Sequence, residues 1–288
     1  MRNALAFVAA TLAVVPATAD GVELYYSLAP GQVFRYQCEL TGNGTATAAG
    51  RTDPVVISAK FTYVMEVLDA QDGQTTVRYR VENAMIGATY AGEPLPVAVN
   101  IPPVTVVMDR WGRVTSTTVQ QPAVSVSPLA SLLGGQLFGG GPAGSLDITQ
   151  FYGQLHMPGF PTTAVRIGET WQEQAQVISA DNQPIAVSWQ TKLVALTNYA
   201  GARCAQLQTS YSLPLSLLVN ALLRDVLSLR GDIRGVSTLY FDLDRHIPLA
   251  FVSVQESRLS MAAGLLLEDE AQATMSITTH VHAELAKQ

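Results

Sequence analysis

The chain has 288 residues, of which 48% are hydrophobic and 14% are charged, and its formal net charge is −6 at pH 7. This composition favours a folded domain over a disordered chain, because ample apolar area is available for a core. The acidic balance argues against nucleic-acid binding, which requires a basic surface, and against attachment to an anionic membrane by charge.

The first residues have the order of a secretory signal peptide. A basic start at Arg2 is followed by an apolar stretch over residues 4–15, Pro16 ends this stretch, and a small-residue triplet closes at Ala19. We expect export, cleavage after Ala19, and a soluble mature protein in the periplasm or outside the cell. The apolar stretch is shorter than the roughly 20 residues of a transmembrane helix, so no membrane anchor is expected.

Alternation of apolar and polar residues predicts antiparallel strands in the first half of the chain. Apolar side chains occupy every second position between residues 33 and 40, and the same period recurs at 61–67 and 77–81. The turn at 69–74, with Asp-Gly at its centre, joins the last two runs into a hairpin. The aromatic residues expected to face inward on the first two of these strands are Phe34, Tyr36, Phe61 and Tyr63.

An internal repeat is the main long-range pattern. Segment 31–34 (GQVF) is matched by 168–171 (GETW) 137 positions later, and Asp109-Arg110 is matched by Asp244-Arg245 135 positions later. These matches predict a first β-unit over residues 20–126 and a second over 162–288. The alternative is that two unrelated antiparallel meanders align loosely, because alternation is common.

The two cysteines give opposing indications. An exported protein with two cysteines favours one disulfide. Strand parity places Cys38 on an inward face but Cys204 on a polar face, next to inward Ala205 and Leu207, and cysteines on opposite faces do not easily reach bonding distance. The sequence leaves the pairing open.

Two stretches depart from the β pattern. Residues 127–161 combine a short helix at about 127–133 with a Gly/Pro-rich linker. Residues 213–230 are rich in leucine, begin near a proline and end before a glycine, which predicts a helix. Its wide apolar arc must be covered on more than one side, so Leu218 and Leu222 join Trp171 and Trp189 among the residues expected to line an apolar cavity.

Candidate metal and acid–base groups have simpler structural interpretations. His280 and His282 share one side of a strand, but no third ligand accompanies them, so we interpret them as part of a polar outer face. Asp242 and Asp244 beside His246 suggest acid–base chemistry, yet the matching first-unit turn lacks a histidine, and a structural Asp turn explains both copies. No nucleophile–base pair or phosphate-binding loop is identified, so no catalytic, metal or cofactor site is predicted.

Three short motifs carry a resemblance to known proteins: LAPG with FxY at 28–36, VxYxV at 77–81, and a segment at 160–171 that ends in GETW. With these motifs the chain resembles a family of uncharacterised exported bacterial proteins of about 300 residues. The resemblance implies a class and transfers no activity or site. A curved sheet closed by helices is also similar in architecture to the Lol-type half-barrels that carry lipoproteins through the periplasm.

Together these patterns predict a mainly β protein, in which two duplicated antiparallel units form a curved sheet, half-barrel or barrel-like body with one or two short helices. The expected function is a non-enzymatic envelope protein that binds a hydrophobic ligand, such as a lipid or acyl chain, in an apolar cavity. Two alternatives stay open: a structural or protein-interaction module of the envelope, and an exported hydrolase that uses Asp242, Asp244 and His246.

Overall fold

The computed structural model describes residues 21–48, 50–95, 103–119, 157–178, 184–214, 227–263 and 272–286. The predicted signal peptide, the short helix at 127–133 and most of the predicted linker lie outside these residues. The strands within them are β1 (Val33–Ala48), β2 (Arg51–Gln71), β3 (Gln74–Tyr90), β4 (Glu93–Leu95), β5 (Val104–Asp109), β6 (Val114–Val119), β7 (Thr170–Ile178), β8 (Pro184–Tyr199), β9 (Ala202–Pro214), β10 (Leu227–Asp242), β11 (Ile247–Ala263) and β12 (Gln272–Leu285).

These strands form one antiparallel sheet in the order β6-β5-β3-β2-β1-β12-β11-β10-β9-β8-β7, with β4 paired to β3. The order ends at two edge strands, β6 and β7, so the sheet is not closed. The mainly β, antiparallel architecture predicted from the sequence is confirmed. No helix within the described residues is long and apolar enough to span a membrane.

Each half of the sheet contains a meander that runs through neighbouring strands in chain order. The first is β1-β2-β3-β5-β6 and the second is β7-β8-β9-β10-β11, while β12 lies between β1 and β11 and joins the halves. The matched segments 31–34 and 168–171 lie at the starts of β1 and β7, in agreement with the alignment. The duplication and the bounds of its two units remain predictions.

The alternation predicted for β1 is present in the structure. Phe34, Tyr36 and Cys38 are buried, whereas Arg35 and Gln37 between them are exposed. Successive strand side chains point to opposite faces, so this strand has one face in the core and one in solvent.

The alternation predicted for β2 is interrupted. A register shift between Lys60 and Thr62 opposite β3 marks a β-bulge, and a bulge changes the direction in which the following side chains point. Beyond it Thr62 and Val64, which alternation assigns to the outer face, are buried together with Tyr63 and Met65.

The predicted hairpin between β2 and β3 is confirmed. Gln71 pairs with Gln74, and the two residues between them, Asp72 and Gly73, have φ angles of 51° and 75°. Positive φ at both central positions is the requirement of a type I′ turn, which Asp-Gly meets at low cost.

A single hydrophobic cluster includes residues from both halves of the sheet, such as Val77 and Val104 in the first half and Leu193 and Leu207 in the second. These strands lie towards opposite ends of the strand order. Their side chains can share one core only if the sheet curls, so its inner face forms a trough.

Two extended segments fill one end of this trough. They are residues 21–28, the N-terminal segment, and residues 157–165, the strap, and they pair through Val22 and Val165. Tyr26 stacks on Phe160 with ring centroids 5.0 Å apart, and both rings meet Phe241 edge-on at 5.5 and 4.9 Å. Aromatic packing of this kind buries a large area, so it closes the end of the trough that lies near the β5–β6 and β10–β11 turns.

The helix predicted for 213–230 is wrong at both ends. Leu213 and Pro214 are the last residues of β9, residues 227–230 open β10, and Leu213 pairs with Ile233. The run from 227 to 233 (LSLRGDI) still places apolar residues at alternate positions, which suits a strand, and this period was hidden by the leucine-rich composition. Residues 215–226, including Leu218 and Leu222, lie outside the described residues.

Both cysteines are free thiols. Cys38 faces the core as predicted, with 6% exposure, and Ala205 and Leu207 also face inward. Cys204, which parity assigned to a polar face, is 0% exposed and belongs to the hydrophobic cluster. Its cross-strand partners are the polar residues Thr197 and Asp242, which are buried as well.

Candidate functional site

The predicted lining residues that the structure describes lie on strands that border the trough. Two of them, Phe61 and Trp171, are only partly buried and pack against the core. The others are buried: Phe34, Tyr36, Tyr63 and Trp189.

One wall of the trough, formed by β1–β3, has incompletely covered apolar side chains. Leu40, Phe61 and Val81 on these strands are partly buried and pack against the core. Across β12 and β10, Met275 and Ile233 have the same intermediate exposure. These five residues define the open apolar wall, which lies beyond the aromatic rings of the plugged end.

A row of hydroxyl groups crosses the second half of the sheet. Thr191, Thr209, Ser237 and Ser253 are consecutive cross-strand partners on β8 to β11, and each is at most 3% exposed. The Thr191 and Thr209 hydroxyls are 2.9 Å apart and hydrogen-bonded. Burying a hydroxyl costs free energy unless it is hydrogen-bonded. The bond between Thr191 and Thr209 offsets this cost for two members of the row.

The next row holds Tyr211, which crosses from β9 over β10. Its hydroxyl donates to Gln255 Oε1 at 3.1 Å and lies 3.3 Å from Ser253 Oγ. A Cβ atom on Gly235 would stand 2.4 Å from the Tyr211 ring. Glycine at this position therefore makes room for the tyrosine.

Glu173 projects from the edge strand β7 at the end of the same row, opposite Trp189. Its Oε2 accepts the Gly159 amide of the strap at 2.6 Å, and its Oε1 accepts the Thr191 hydroxyl at 3.3 Å. Burial raises the pKa of Glu173 to about 7, although hydrogen bonds from Gly159, Trp189, Thr191 and Trp171 act in the opposite direction. The carboxyl therefore titrates near neutral pH.

The β5–β6 turn and the β10–β11 turn, each of which contains an aspartate, lie on either side of the N-terminal segment. The Tyr25 ring stacks on His246 with centroids 3.9 Å apart, and the Arg110 guanidinium lies 4.5 Å from the centre of the same ring. Desolvation lowers the pKa of His246, and Arg110 adds to this, while Asp242 and Asp244 oppose it. The stack pins the segment between the β5–β6 and β10–β11 turns.

The structural interpretation of the Asp turns is supported, with a change of residue in the second copy. Asp109 Oδ1 accepts the Trp111 and Arg113 amides, each at 2.9 Å. In the second turn the residue that accepts turn amides is Asp242, which bonds the amides of residues 244 and 245 at 2.9 Å. Asp244, which the sequence alignment matched to Asp109, instead pairs with Arg203 at 2.8 Å.

The histidines on β12 lie on the outer face. His280 and His282 are both exposed, and their neighbours on β1 are Thr41 and Glu39. Within the part of the chain that is described, no three potential metal-ligating side chains come together.

Sequence reasoning missed Glu173, the hydroxyl row and the strap. Parity already placed Trp171 inward, and the residue two positions later on the same strand points the same way, so an inward carboxyl could have been noticed. The strap has no period, and its contacts are far away in sequence, so no local pattern marks it.

No family model matches the chain, and no curated protein matches it. It is similar to a structure of lipovitellin, described for its lipid–protein interactions, with a TM-score of 0.46 and 9% identity over 91% of this chain; the chain spans 26% of that protein. It is also similar to an outer membrane channel from Pseudomonas putida F1, with a TM-score of 0.18 and 10% identity, over 90% of this chain and 97% of the channel. Neither likeness is close enough to support a functional argument.

Proposed function

We propose that this protein is a non-enzymatic, exported envelope protein that binds a hydrophobic ligand, a lipid or an acyl chain, in its trough. The observation that carries the proposal is the open apolar wall of Leu40, Phe61, Val81, Ile233 and Met275, whose side chains face a common core but are incompletely covered. Burying apolar surface stabilises a protein by about 25 cal/mol per Å². An apolar ligand that covered this wall would gain that free energy.

The closed end of the trough supports the same function. The aromatic rings of Tyr26, Phe160 and Phe241 fill it, so a ligand would lie between this plug and the other end of the strands.

Two variants of one strand test the site. Ile233 is partly buried on the inner side of β10, and Val236 is 45% exposed on the outer side. We expect Ile233→Asn to weaken uptake of a fluorescent fatty acid severalfold, because it places an amide in the apolar wall, whereas Val236→Asn keeps the wild-type affinity. Equal effects of both variants would place binding elsewhere.

A direct test is extraction of the purified protein with organic solvent, followed by mass spectrometry of the extract. We expect a lipid or fatty acid in stoichiometric amount. An empty extract together with no uptake of the fluorescent fatty acid would rule the ligand proposal out.

An interaction module of the envelope is the second candidate, because an apolar patch lies on the outer face. Val236 and Val254 are direct cross-strand partners, their exposures are 45% and 43%, and nearby Val252 is 40% exposed. Exposed apolar patches often mark interfaces. Light scattering after size exclusion separates the candidates: a stable oligomer that Val254→Lys dissociates favours the module, and a monomer that takes up lipid favours the carrier.

The exported hydrolase is not proposed. The three residues suggested for it have structural contacts: Asp242 accepts amides of its own turn, Asp244 pairs with Arg203, and His246 stacks on Tyr25. We expect their alanine variants to bind ligand like the wild type, as long as they fold.

A further inference from the structure

The strap lies across a seam in the sheet. The seam separates β6 and β7, the two edge strands of the sheet order, which do not pair with each other. On one side the Phe160 amide donates to Trp111 O at 2.6 Å, in the turn before β6. On the other side the Trp171 indole of β7 donates to Gly159 O at 2.9 Å. The strap thus ties the two edges together near the plugged end.

Glu173 packs directly against the strap backbone. The Gly159 amide donates to its carboxyl at 2.6 Å, and a Cβ atom on Gly159 would stand 2.9 Å from Glu173 Oε2. An added Cβ at this position would therefore displace either the Glu173 carboxyl or the strap. Because Oε2 is held against the Gly159 amide, hydration of this oxygen competes with its hydrogen bond to the strap.

We propose that the strap is a pH-sensitive latch, which is closed over the seam while Glu173 carries a proton and is released as this carboxyl ionises.

The direction follows from solvation. In the closed state the carboxyl is partly buried, and this desolvation penalises its charged form more than the surrounding donors stabilise it. When the strap leaves, Glu173 is hydrated and its pKa returns towards the ordinary value. Ionisation therefore favours the open state. In the closed state a protonated carboxyl can donate to the Thr191 hydroxyl, which can pass its own hydrogen to Thr209, 2.9 Å away.

Among the described residues, no basic side chain is paired with the Glu173 carboxyl. The N-terminal segment contributes the Tyr26 phenol, which interacts in turn with Tyr79 of β3, and burial raises the pKa of both phenols above the ordinary value. The β5–β6 turn contributes Arg113, whose guanidinium lies 5.9 Å from the ring centre of a tryptophan of its own turn. The strap and β8 contribute neutral donors, the Gly159 amide and the Thr191 hydroxyl among them. In this group Glu173 is the residue that titrates near neutral pH.

Hydrogen exchange of the strap amides tests the latch on the protein without added ligand. We expect the protection of the amides of Gly159, Phe160 and Val165, corrected for the intrinsic effect of pH on exchange, to fall about 10- to 100-fold as pH rises from 5.5 to 8.5. In Glu173→Gln, which keeps an acceptor oxygen but cannot ionise, protection should not change with pH.

The matched control is Glu256→Gln, an exposed glutamate on β11, which should follow the wild type. The latch is refuted if wild-type protection of the strap is level over this pH range, an outcome that needs no variant. It is refuted as well if Glu173→Gln shows the same fall as the wild type. Because no ligand is used, failure of the latch leaves the proposed lipid binding untouched, and an empty trough leaves the latch untouched.

Discussion

The Tyr211 ring fits over the neighbouring strand because the residue beneath it is a glycine, which has no side chain. It crosses β10 above Gly235 and reaches Gln255 and Ser253 on β11. Gly235 does not have a positive φ angle. Its backbone conformation is therefore open to other residues, and glycine is needed there only for space.

Gly235→Ala should therefore destabilise the fold. The added methyl displaces a buried tyrosine and breaks its hydrogen bonds, at a cost of about 1–3 kcal/mol. Urea unfolding measures this free energy. The control is Gly87→Ala on β3, where an added Cβ would meet only Ser58 Oγ at 3.2 Å, and we expect a change below about 1 kcal/mol. Equal losses in the two variants would contradict the packing argument.

The raised pKa of Glu173 also implies that the free energy of unfolding depends on pH. Its pKa in the folded state, about 7, lies above the ordinary value of 4.5, so between these values the folded state holds a proton that the unfolded state has lost. This contribution to stability is complete below pH 4.5 and is lost as pH rises through 7.

We expect the free energy of unfolding of the wild type to fall by about 2 kcal/mol more than that of Glu173→Gln between pH 5 and 8. Urea unfolding at the two pH values measures it. Parallel pH profiles of the two proteins would show that Glu173 has an ordinary pKa.

Among the elements, the β10–β11 turn is held by one of its two aspartates. Asp242 is 1% exposed and accepts two turn amides, whereas Asp244 is an exposed partner of Arg203. We expect Asp242→Ala to cost about 2 kcal/mol, because two amides lose their acceptor, and Asp244→Ala to cost less than about 1 kcal/mol. Thermal unfolding of both variants gives the comparison, and a larger loss for Asp244→Ala would reverse the assignment.

Strands with a regular period could be predicted from the sequence, and irregular elements could not. β1 and the β2–β3 hairpin follow alternation and Asp-Gly turn chemistry, which are local. The β2 bulge at Lys60 and Thr62 depends on pairing with β3, and no local pattern specifies where it falls. The helix predicted over 213–230 was wrong for a related reason. Leucines between a proline and a glycine are locally typical of a helix, whereas the pairing of Leu213 with Ile233 is a tertiary contact that no local pattern predicts.

The candidate site was predicted only in part. Phe34, Tyr36 and Trp189 could be assigned to the inner face because parity alone decides the face. Glu173 could have been assigned in the same way, but its protonation depends on the strap, whose Gly159 is 14 residues away. Long-range contacts of this kind decide the chemistry, and the period of a strand contains no information about them.

On the scale of the whole molecule, the shared core predicts that both halves unfold together. Cys38 on β1 and Cys204 on β9 are both buried in this core, and burial raises the pKa of their thiols to about 12 and about 11. Such thiols react slowly because little thiolate is present. We expect both to resist iodoacetamide in the native protein and to become reactive at the same urea concentration.

Peptide mapping by mass spectrometry after pulse labelling distinguishes the two cysteines in the wild type, so no core substitution is needed. Two separate midpoints would mean that the halves are independent units.

The position of β12 has a consequence for the order of folding. Each meander is built from hairpins between strands that are close in sequence, whereas the joint pairs Tyr36 with Leu285 and Cys38 with Ala283. Pairing β1 with β12 closes a loop that contains almost the whole chain, and closing so long a loop before other contacts form is slow. The expected intermediate is therefore a first half-sheet, β1–β6, with an unpaired edge at β1, beside a second half-sheet in which β12 has already paired with β11. A chaperone that shields unpaired strand edges would act on this protein just before β1 and β12 pair.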